Sequence, residues 1–522
     1  MGKRQKIVII SLVSLVVLSV IGIIVAQKVA TSKIEKFLTE SLPENIKFDY
    51  KDVDVSIWSG SVELANPKLT IYGKNTDSII LVNDMSSIQI NDVGYWAYIF
   101  SNKINIKGIH IKEPKITYHH NKHIDSEDYK SSKSKKRGQN VYVANFKITK
   151  GNVAMFNVEN DSLMLQLKGF DFDLHDIHFD KETAKQKMPL TFSNYDLSFN
   201  GLYYRLNNYD NLEIGESNFA MNVSELTNLK LYTKYSKQKL SQIISVERDH
   251  MDLKIEKVAI NNQEFGFHHD SIFYFKSPKV EIEKPIFNIY RNKLLPDDMT
   301  IKLLYSNMIR NLNFDLTLSE ILLNNAAINY SEKVKPESSA GEIYFSNMNV
   351  TITNLGNTYE SSEKTTIDID AIFMKSTPIK VNWYFDVNNV NDQFIFKAEI
   401  GKLPAKDMNS FSEPNLKVKM EGELLKTYFT VDGNVQNSNV DLRMNYENLK
   451  VSILDKEGKG KNKLLSAVAN LFIKKDSNDE ADEFREGMKK GVERDKTKSV
   501  FNFMWLNTRA GLLSALIGDG KK

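Results

Sequence analysis

The chain contains no cysteine. This absence excludes a disulfide framework, thiolate zinc sites, iron–sulfur clusters, covalent c-type haem, a cysteine nucleophile and a lipid-modified N-terminal cysteine. Histidine is scarce, with 9 residues in 522, and the cluster His119, His120 and His123 falls in an expected loop without ligand partners. Glycine-rich phosphate loops, G-x-S-x-G elbows, HExxH and kinase motifs are missing as well. The sequence therefore indicates a protein that binds or scaffolds, not an enzyme, with no catalytic residue, cofactor or metal.

An excess of charge of one sign is missing too. Lys and Arg number 69 against 66 Asp and Glu, a formal net charge of +3, which gives no electrostatic basis for binding nucleic acid. A hydrophobic fraction of 41% with 26% charged residues is ordinary for a folded protein. The length fits about three domains or one long architecture. We therefore expect a folded chain without a nucleic-acid partner.

A long uncharged run lies near the N-terminus. Residues 7–25 read IVIISLVSLVVLSVIGIIV, which as a helix would span about 28 Å, close to the hydrocarbon core of a bilayer. The basic residues before it are expected to stay in the cytoplasm and the rest of the chain beyond the membrane. A cleaved signal peptide is the alternative, but its apolar region is usually shorter and bulky Ile24 stands near the candidate cleavage site at Ala26. The run thus predicts a single-pass anchor in a bacterial inner membrane, with the bulk of the chain periplasmic. Its anchor residues include Ile7, Leu12, Leu15, Val20 and Val25.

Alternation of apolar and polar residues dominates the chain after the anchor. Val53-x-Val55-x-Ile57 and Ile379-x-Val381-x-Trp383-x-Phe385 are examples. This period is typical of half-buried strands in a mostly antiparallel sheet with one apolar and one polar face. Before the C-terminal tail, helices are expected near 93–100, 240–246 and 299–310, and a short amphipathic helix with Ile34, Phe37 and Leu38 on one face is expected after the anchor, ending at Pro43. Regular βαβ alternation is absent, so the fold class is mainly β.

A loose internal repeat runs through the β region. Residues 106–120, 143–157, 277–291 and 318–332 each contain an apolar stretch, a short polar break with Pro, Gly or Asn, and a second strand with an aromatic residue near its end. The spacing is irregular, which favours a recurrent hairpin over a strict solenoid. Hairpins laid side by side would make an elongated sheet.

Composition divides the chain into five predicted parts. They are the cytoplasmic flank and anchor (1–30), an N-terminal β module (31–124), a polar linker (125–140), an elongated sheet region (141–454) and a helical tail (455–522). In the tail, a weak helical pattern covers the charged stretch 474–498. The apolar segment 499–518 is expected either to cap the sheet or to lie in a membrane interface. The candidate membrane-contacting residues are Phe501, Phe503, Trp505, Leu512 and Leu516.

The sequence leaves open what covers the apolar face of the sheet. A second sheet would make ordinary sandwiches or barrels, whereas a sheet curled into a groove would be covered by bound acyl chains, because exposed apolar faces of this extent aggregate or bind something. The alternation predicts a set of possible groove-lining residues. They are Val53, Val55, Ile57, Ile104, Ile106, Ile109, Ile111, Leu316, Leu318, Val381, Trp383 and Phe385.

Four segments carry a family resemblance in combination. After the anchor, 53–73 combines a strand, a Ser-Gly-Ser turn and an Asn-Pro break, and 104–119 has a strand followed by I-x-x-P-x-I. In 326–357 a Tyr-x-Glu strand precedes a Gly and an alternating strand, and 445–505 is a strand-to-helix ending. Together they resemble the AsmA-like family of envelope proteins, which is related to the TamB-type and YhdP-type bridge-like lipid-transfer proteins. The resemblance covers both ends, and the middle only by strand pattern.

The resemblance implies an elongated, curved β-sheet with an apolar or taco-like groove, tethered to the inner membrane. It implies binding or transport of phospholipid or another acyl-chain lipid in outer-membrane biogenesis or maintenance, and it favours the groove over the sandwich. Contact of the C-terminal helix with the outer membrane is a further expectation. The alternative is a non-catalytic envelope scaffold or regulator of outer-membrane protein assembly, which would recruit envelope assembly proteins through its sheet edges and tail.

Overall fold

The structure is a computed structural model of the 522-residue chain. It describes residues 31–32, 42–56, 58–73, 76–94, 103–121, 140–268, 272–454 and 484–517. The predicted anchor with Ile7, Leu12, Leu15, Val20 and Val25, the groove candidate Ile57 and nearly all of the predicted linker lie outside these residues. Strand accounts for 62% and helix for 11% of the described residues, so the mainly β prediction is confirmed.

Twenty-eight strands follow one another along the described chain. The first fourteen are β1 Ile46–Asp49, β2 Asp52–Ser56, β3 Ser61–Ala65, β4 Lys68–Gly73, β5 Thr76–Asp84, β6 Ser87–Val93, β7 Lys103–Lys112, β8 Lys115–His120, β9 Asn140–Asn157, β10 Leu163–Phe179, β11 Asn194–Phe199, β12 Gly201–Arg205, β13 Asp210–Ile214 and β14 Ser217–Ala220. The others are β15 Val223–Thr233, β16 Asp249–Asn261, β17 Glu264–His268, β18 Ile272–Glu283, β19 Ile286–Asn292, β20 Asp315–Lys333, β21 Gly341–Gly356, β22 Thr365–Phe373, β23 Thr377–Phe385, β24 Phe394–Ile400, β25 Leu403–Pro404, β26 Val418–Gly433, β27 Asn437–Ile453 and β28 Arg485–Glu493.

Between residues 42 and 517, the described helices are few and mostly short. They are α1 Lys237–Ile243, α2 Tyr305–Arg310, α3 Asn409–Leu416 and α4 Val500–Ile517, with 3-10 turns at Thr183–Lys185 and Ala405–Met408. Ser236 caps α1 by accepting a hydrogen bond from the Lys239 N–H, so this helix begins earlier than the predicted 240–246. The predicted helix over 299–310 forms only in its second half. In the described part of the chain, no helix is long and apolar enough to cross a membrane.

The C-terminal tail contains a strand where the sequence predicted a helix. β28 pairs antiparallel with β27, from Arg485 opposite Met444 to Glu493 opposite Asn437. Its charged residues favour a solvated element locally, but lysines and glutamates are also tolerated on a strand near the edge of a sheet. The helix predicted weakly over 474–498 is therefore wrong at β28, because pairing with β27 outweighs the local preference for helix.

The described strands belong to one large mixed sheet. Most neighbours are antiparallel, as predicted, but β7 and β8 pair parallel with β9, and β18 and β19 pair parallel with β20. The chain between β19 and β20 includes α2, as expected because a parallel pair needs a crossover connection. The prediction of an antiparallel sheet is thus correct for most pairs and wrong at these four.

The internal repeats are kinked strands, not hairpins. β7 and β8 do not pair with each other. Both pair with β9, one after the other: Lys112 at the end of β7 lies opposite Thr149, and Lys115 at the start of β8 lies opposite Asn152. β18 and β19 follow one another along β20 in the same way. The hairpin prediction for these segments was wrong, since the polar break bends one strand and does not reverse the chain.

Left-handed backbone conformations explain the breaks. Glu113, Lys150, Lys284 and Asn325 stand in the polar breaks of the four repeats, and each has φ between 48° and 54°. A residue in this conformation interrupts the regular pleat and re-aims the following side chains. The apolar positions accordingly change phase by one residue at the break, from Ile109 and Ile111 before it to Ile116 and Tyr118 after it.

The chain forms two compact units. Unit 1 comprises Met1–Arg205 and Glu213–Met221, and unit 2 comprises Leu206–Leu212 and Asn222–Lys522. Both hydrophobic core clusters of the described residues lie in unit 2. The larger one joins β23, β24, β26 and β27 to the start of α2 and to α4.

Helix α4 covers the sheet of unit 2. Phe503 is 1% exposed and meets Phe394 edge-on at 6.2 Å between ring centroids, and Leu512 and Leu516 pack against the same core. Ser514 donates to the carbonyl of Met488 on β28 and accepts from its N–H, both at 3.1 Å. Segment 499–518 thus forms a helix that packs on the sheet, the first of the two alternatives considered for it. Phe503 is therefore enclosed in the core, whereas Phe501 on the opposite side of the helix is 65% exposed.

We expect Phe503→Ala to lower the free energy of unfolding of unit 2 by about 3–5 kcal/mol, because it leaves a cavity in a closed core. Phe501→Ala on the same helix should change it by less than about 0.5 kcal/mol, since that ring is exposed. Denaturant titration monitored by near-UV circular dichroism measures both. Equal effects from the two variants would contradict this placement of α4.

Helix α2 is clasped by a buried carboxylate. Asp392 is 2% exposed and accepts from the Arg310 guanidinium at 2.7 Å and from the Ser306 hydroxyl at 3.0 Å. Arg310 also donates to the carbonyls of Val387 and Asn389. These bonds join α2 to the loop after β23.

Candidate functional site

Two rows of apolar side chains cross unit 1. Residues directly opposite one another on neighbouring strands project from the same face of a sheet, so each row is read from the register of the strands. The first row consists of Val55, Val62, Ile90, Ile109, Phe146, Leu174 and Tyr195. The second consists of Val53, Leu64, Ile88, Ile111, Ile148, Phe172, Leu197 and Phe219. We call these two rows the first apolar surface.

The rows share one face of the sheet, because their members are two residues apart on every strand that carries both. The residues between them point to the opposite face and are polar on every strand of the first row. They are Asp54, Glu63, Gln89, His110, Lys147, Asp173 and Asp196. Unit 1 therefore has an apolar face and a polar face, as the alternation predicts.

The first apolar surface is not sealed like a protein core. Only Val55, Leu64 and Leu174 are buried, and the other members of the two rows are half-buried. In a closed sandwich, the inner face of such strands would be covered by a second layer. Across the described part of unit 1, no hydrophobic core cluster forms on these rows.

Beyond the break that follows β7, unit 1 has two further rows. One consists of Ile46, Ile71, Leu81, Tyr118, Met155, Leu165 and Tyr204, and the other of Phe48, Leu69, Asn83, Ile116, Val153, Leu167 and Leu202. Every residue in them is half-buried except Tyr204, which is exposed. Asn83 is the one polar member. The apolar character of the face thus continues across the kink.

Unit 2 has the same arrangement, which we call the second apolar surface. One row consists of Ile260, Val280, Ile321, Ile352, Ile367, Trp383, Phe396, Val431 and Val440. The other consists of Leu226, Val258, Ile282, Leu323, Val350, Ile369, Val381, Ala398, Phe429 and Leu442. Here helices close one end, since α2 and α4 pack on the rows from β23 to β27. The chain's own helices, not a second sheet, cover this end.

Only some of the predicted groove residues belong to these surfaces. Val53, Val55, Ile109 and Ile111 all belong to the first apolar surface. Ile104 and Ile106 do not, because they occupy the alternate positions of β7 and lie opposite Val141 and Val143.

The remaining candidates lie in unit 2. Leu316 on β20 lies opposite Phe275, and Leu318 lies opposite Leu355 on β21. Val381 belongs to the second apolar surface. Trp383 and Phe385 are buried in the core, where Trp383 packs on Tyr305 of α2 at 5.4 Å between ring centroids. Other side chains of the protein therefore cover these two residues.

Several row members were not among the sequence candidates. Phe146 and Ile148 on β9 and Phe172 and Leu174 on β10 are central to the first apolar surface. Their alternation is visible in the sequence. Assigning them to the same face as Ile109 required the parallel register of β7 and β9, which no local pattern contains.

Two titratable groups of unit 1 have shifted pKa values. The hydroxyls of Ser193 and Tyr142 donate to Asp176 and hold the pKa of its carboxyl below the usual value. Partial burial lowers the pKa of His110, which shares a hydrogen bond of 2.9 Å with Thr149. Within the described ranges, no three His, Asp or Glu side chains are grouped so as to hold a metal ion.

Comparison with known proteins adds no family assignment. The sequence matches neither a protein-family model nor a curated protein.

Proposed function

We propose that this chain binds acyl-chain lipid, phospholipid in particular, along the apolar face of its β-sheet. The observation that carries the proposal is the first apolar surface, a half-buried band of aliphatic and aromatic side chains backed by a polar face. Apolar and aromatic side chains are the usual lining of sites for apolar ligands. Contiguous apolar patches on a protein surface often mark a site of interaction with a ligand or a membrane.

The dimensions of the surface suit acyl chains. Its longer row crosses eight strands, from β2 to β14, and at about 4.8 Å between strands this gives about 34 Å. Two acyl chains end to end span the roughly 30 Å hydrocarbon core of a bilayer. A single chain lying across the strands is thus shorter than the row. Binding would need no nucleotide and would be driven by removing apolar area from water on both partners.

The setting we propose is the bacterial envelope. The uncharged run at residues 7–25 and the resemblance to AsmA-like proteins support an inner-membrane anchor with a periplasmic β region. In this setting the protein holds or conveys lipid for outer-membrane biogenesis or maintenance. An elongated, curved groove is the form of the sheet that would serve this role. Envelope assembly proteins would be partners if the chain acts as a scaffold instead.

The proposal is tested by measuring the lipid that co-purifies with the natively folded chain. The full chain is expressed with a specific protease site inserted after residue 30, cut after membrane isolation, purified without detergent and analysed by mass spectrometry. We expect at least one phospholipid for each chain, because about 25 cal/mol is gained per Å² of apolar surface buried. A monodisperse, lipid-free product would overturn the proposal and leave the scaffold as the better account.

A further inference from the structure

The second apolar surface changes in burial along its two rows. From β15 to β22 its members are half-buried, except Val280, Ile321 and Val350, which are buried. From β23 to β27 all members are buried except Val381 and Phe396. No residue of β15, β16 or β18 belongs to either core cluster of the described chain. We call the less covered part, from β15 to β22, the open stretch.

Helix α2 forms a wall at which the open stretch ends. The Tyr305 ring packs on Trp383 of β23 at 5.4 Å between ring centroids. Hydrogen bonds from Arg310 and Ser306 to the buried carboxylate of Asp392 hold α2 in this position. The wall is therefore a fixed part of the fold, which a ligand can meet but cannot easily displace.

The described side chains of this wall offer no free charge to a ligand. Trp383 is 7% exposed, and its indole Nε1 has no hydrogen-bond partner among the described residues. Burial raises the pKa of the Tyr305 phenol above its usual value, which means that this place disfavours a negative charge. Arg310, the one charged residue of α2, is already paired with Asp392. A charged head group would lose its water here without gaining a partner, whereas the end of a hydrocarbon chain would not.

The open stretch is long enough for one acyl chain and too short for two. Its rows cross β15, β16, β18, β20, β21 and β22, which at about 4.8 Å between neighbouring strands gives about 24 Å. One acyl chain spans about half of the hydrocarbon core of a bilayer, or about 15 Å, and two chains end to end span about 30 Å. The length of the open stretch thus lies between these two values.

We propose that the open stretch holds a single acyl chain with its terminal methyl group against α2 and its head group toward β15. The inference rests on the proposed function and adds to it the orientation of the lipid and the residues that stop the chain, Tyr305 and Trp383. Because this end is blind, lipid enters and leaves the second apolar surface from the side of β15 and does not pass α2 and α4.

Two photoactivatable phosphatidylcholines test the orientation. They differ only in the position of one diazirine, which lies next to the terminal methyl group in the first probe and next to the ester carbonyl in the second. The full chain is loaded from vesicles that contain either probe, irradiated and digested, and mass spectrometry locates the labelled residues. We expect the first probe to label Tyr305, Ile367 and Trp383 at least about tenfold more than the second, because a head group at the wall would be desolvated. The second probe should label Leu226 and Val258.

Two variants separate the ring of Tyr305 from its hydroxyl. Tyr305→Phe keeps the ring and should leave the labelling unchanged, whereas Tyr305→Ala opens the wall and should let the first probe reach Phe396 on β24. Far-UV circular dichroism checks that both are folded. Equal labelling of the wall by the two probes, or its loss in Tyr305→Phe, would overturn the proposal. Label confined to the first apolar surface would overturn it too and leave the proposed function intact, whereas label on neither surface would contradict the proposed function itself.

Discussion

Lysine in place of Ile109 should remove most of the bound lipid, whereas lysine in place of His110 should leave it unchanged. Ile109 lies in the first row of the first apolar surface, and His110 follows it on the opposite, polar face of β7. A lysine in contact with hydrocarbon costs about 2.5–3.5 kcal/mol, so lipid occupancy should fall at least about tenfold. The two variants carry the same new side chain and differ only in the face from which it projects.

The neighbouring strand provides a second matched pair. Ile90 and Gln89 on β6 lie opposite Ile109 and His110, and Ile90→Lys and Gln89→Lys should repeat the contrast. Mass spectrometry gives the phospholipid per chain, and far-UV circular dichroism checks that each variant is folded. Equal lipid in all four variants, or equal loss in all four, would show that this face of the sheet is not the binding surface.

Asp392→Ala should destabilise unit 2 more than any substitution on its surface. The change leaves the Arg310 guanidinium, which is only 22% exposed, without its carboxylate, and removing one partner of a buried ion pair costs about 3–5 kcal/mol. Ser306 loses its acceptor at the same time. Loss of this clasp should loosen α2 and thereby uncover the core around Trp383. Urea titration followed by tryptophan fluorescence measures the change.

Two controls separate the buried contact from a general charge effect. Asp441→Ala removes an acid whose pair with Arg443, at 4.0 Å, is exposed on both sides, so it should cost less than about 1 kcal/mol. Asp392→Asn keeps a hydrogen-bond acceptor and should fall between the two. If Asp392→Ala unfolds at the same urea concentration as Asp441→Ala, the clasp contributes nothing to the stability of α2.

Elements with a strict period were predictable from local sequence. Alternation such as that of Val53 and Val55 identifies a half-buried strand because side chains on a strand point to opposite faces in turn. The apolar segment 499–518 also predicted a helical element, because it is long and nearly uncharged. For the same reason the polar row between the two apolar rows of unit 1 follows from the alternation alone.

Elements that depend on distant partners were not predictable. The break at Glu113 and Pro114 looks like a turn, because proline is common in turns. It becomes a kink only because β7 and β8 lie together along β9. β28 became a strand through its pairing with β27 and its hydrogen bonds to Ser514. In each case, contacts between residues far apart in the chain outweigh the local preference.

By itself, the sequence determined that this protein is mainly β, that its strands have one apolar and one polar face, and that chemistry based on cysteine is excluded. These properties are local, because they depend on residue type and on a period of two. Only the tertiary structure decided that Ile109 and Phe146 share a face and that Phe503 is buried while Phe501 is exposed. It also decided that α2 and α4 close one end of the second apolar surface. Register, parallel pairing and helix packing are set by the free energy of burying distant residues together, which no short stretch of sequence contains.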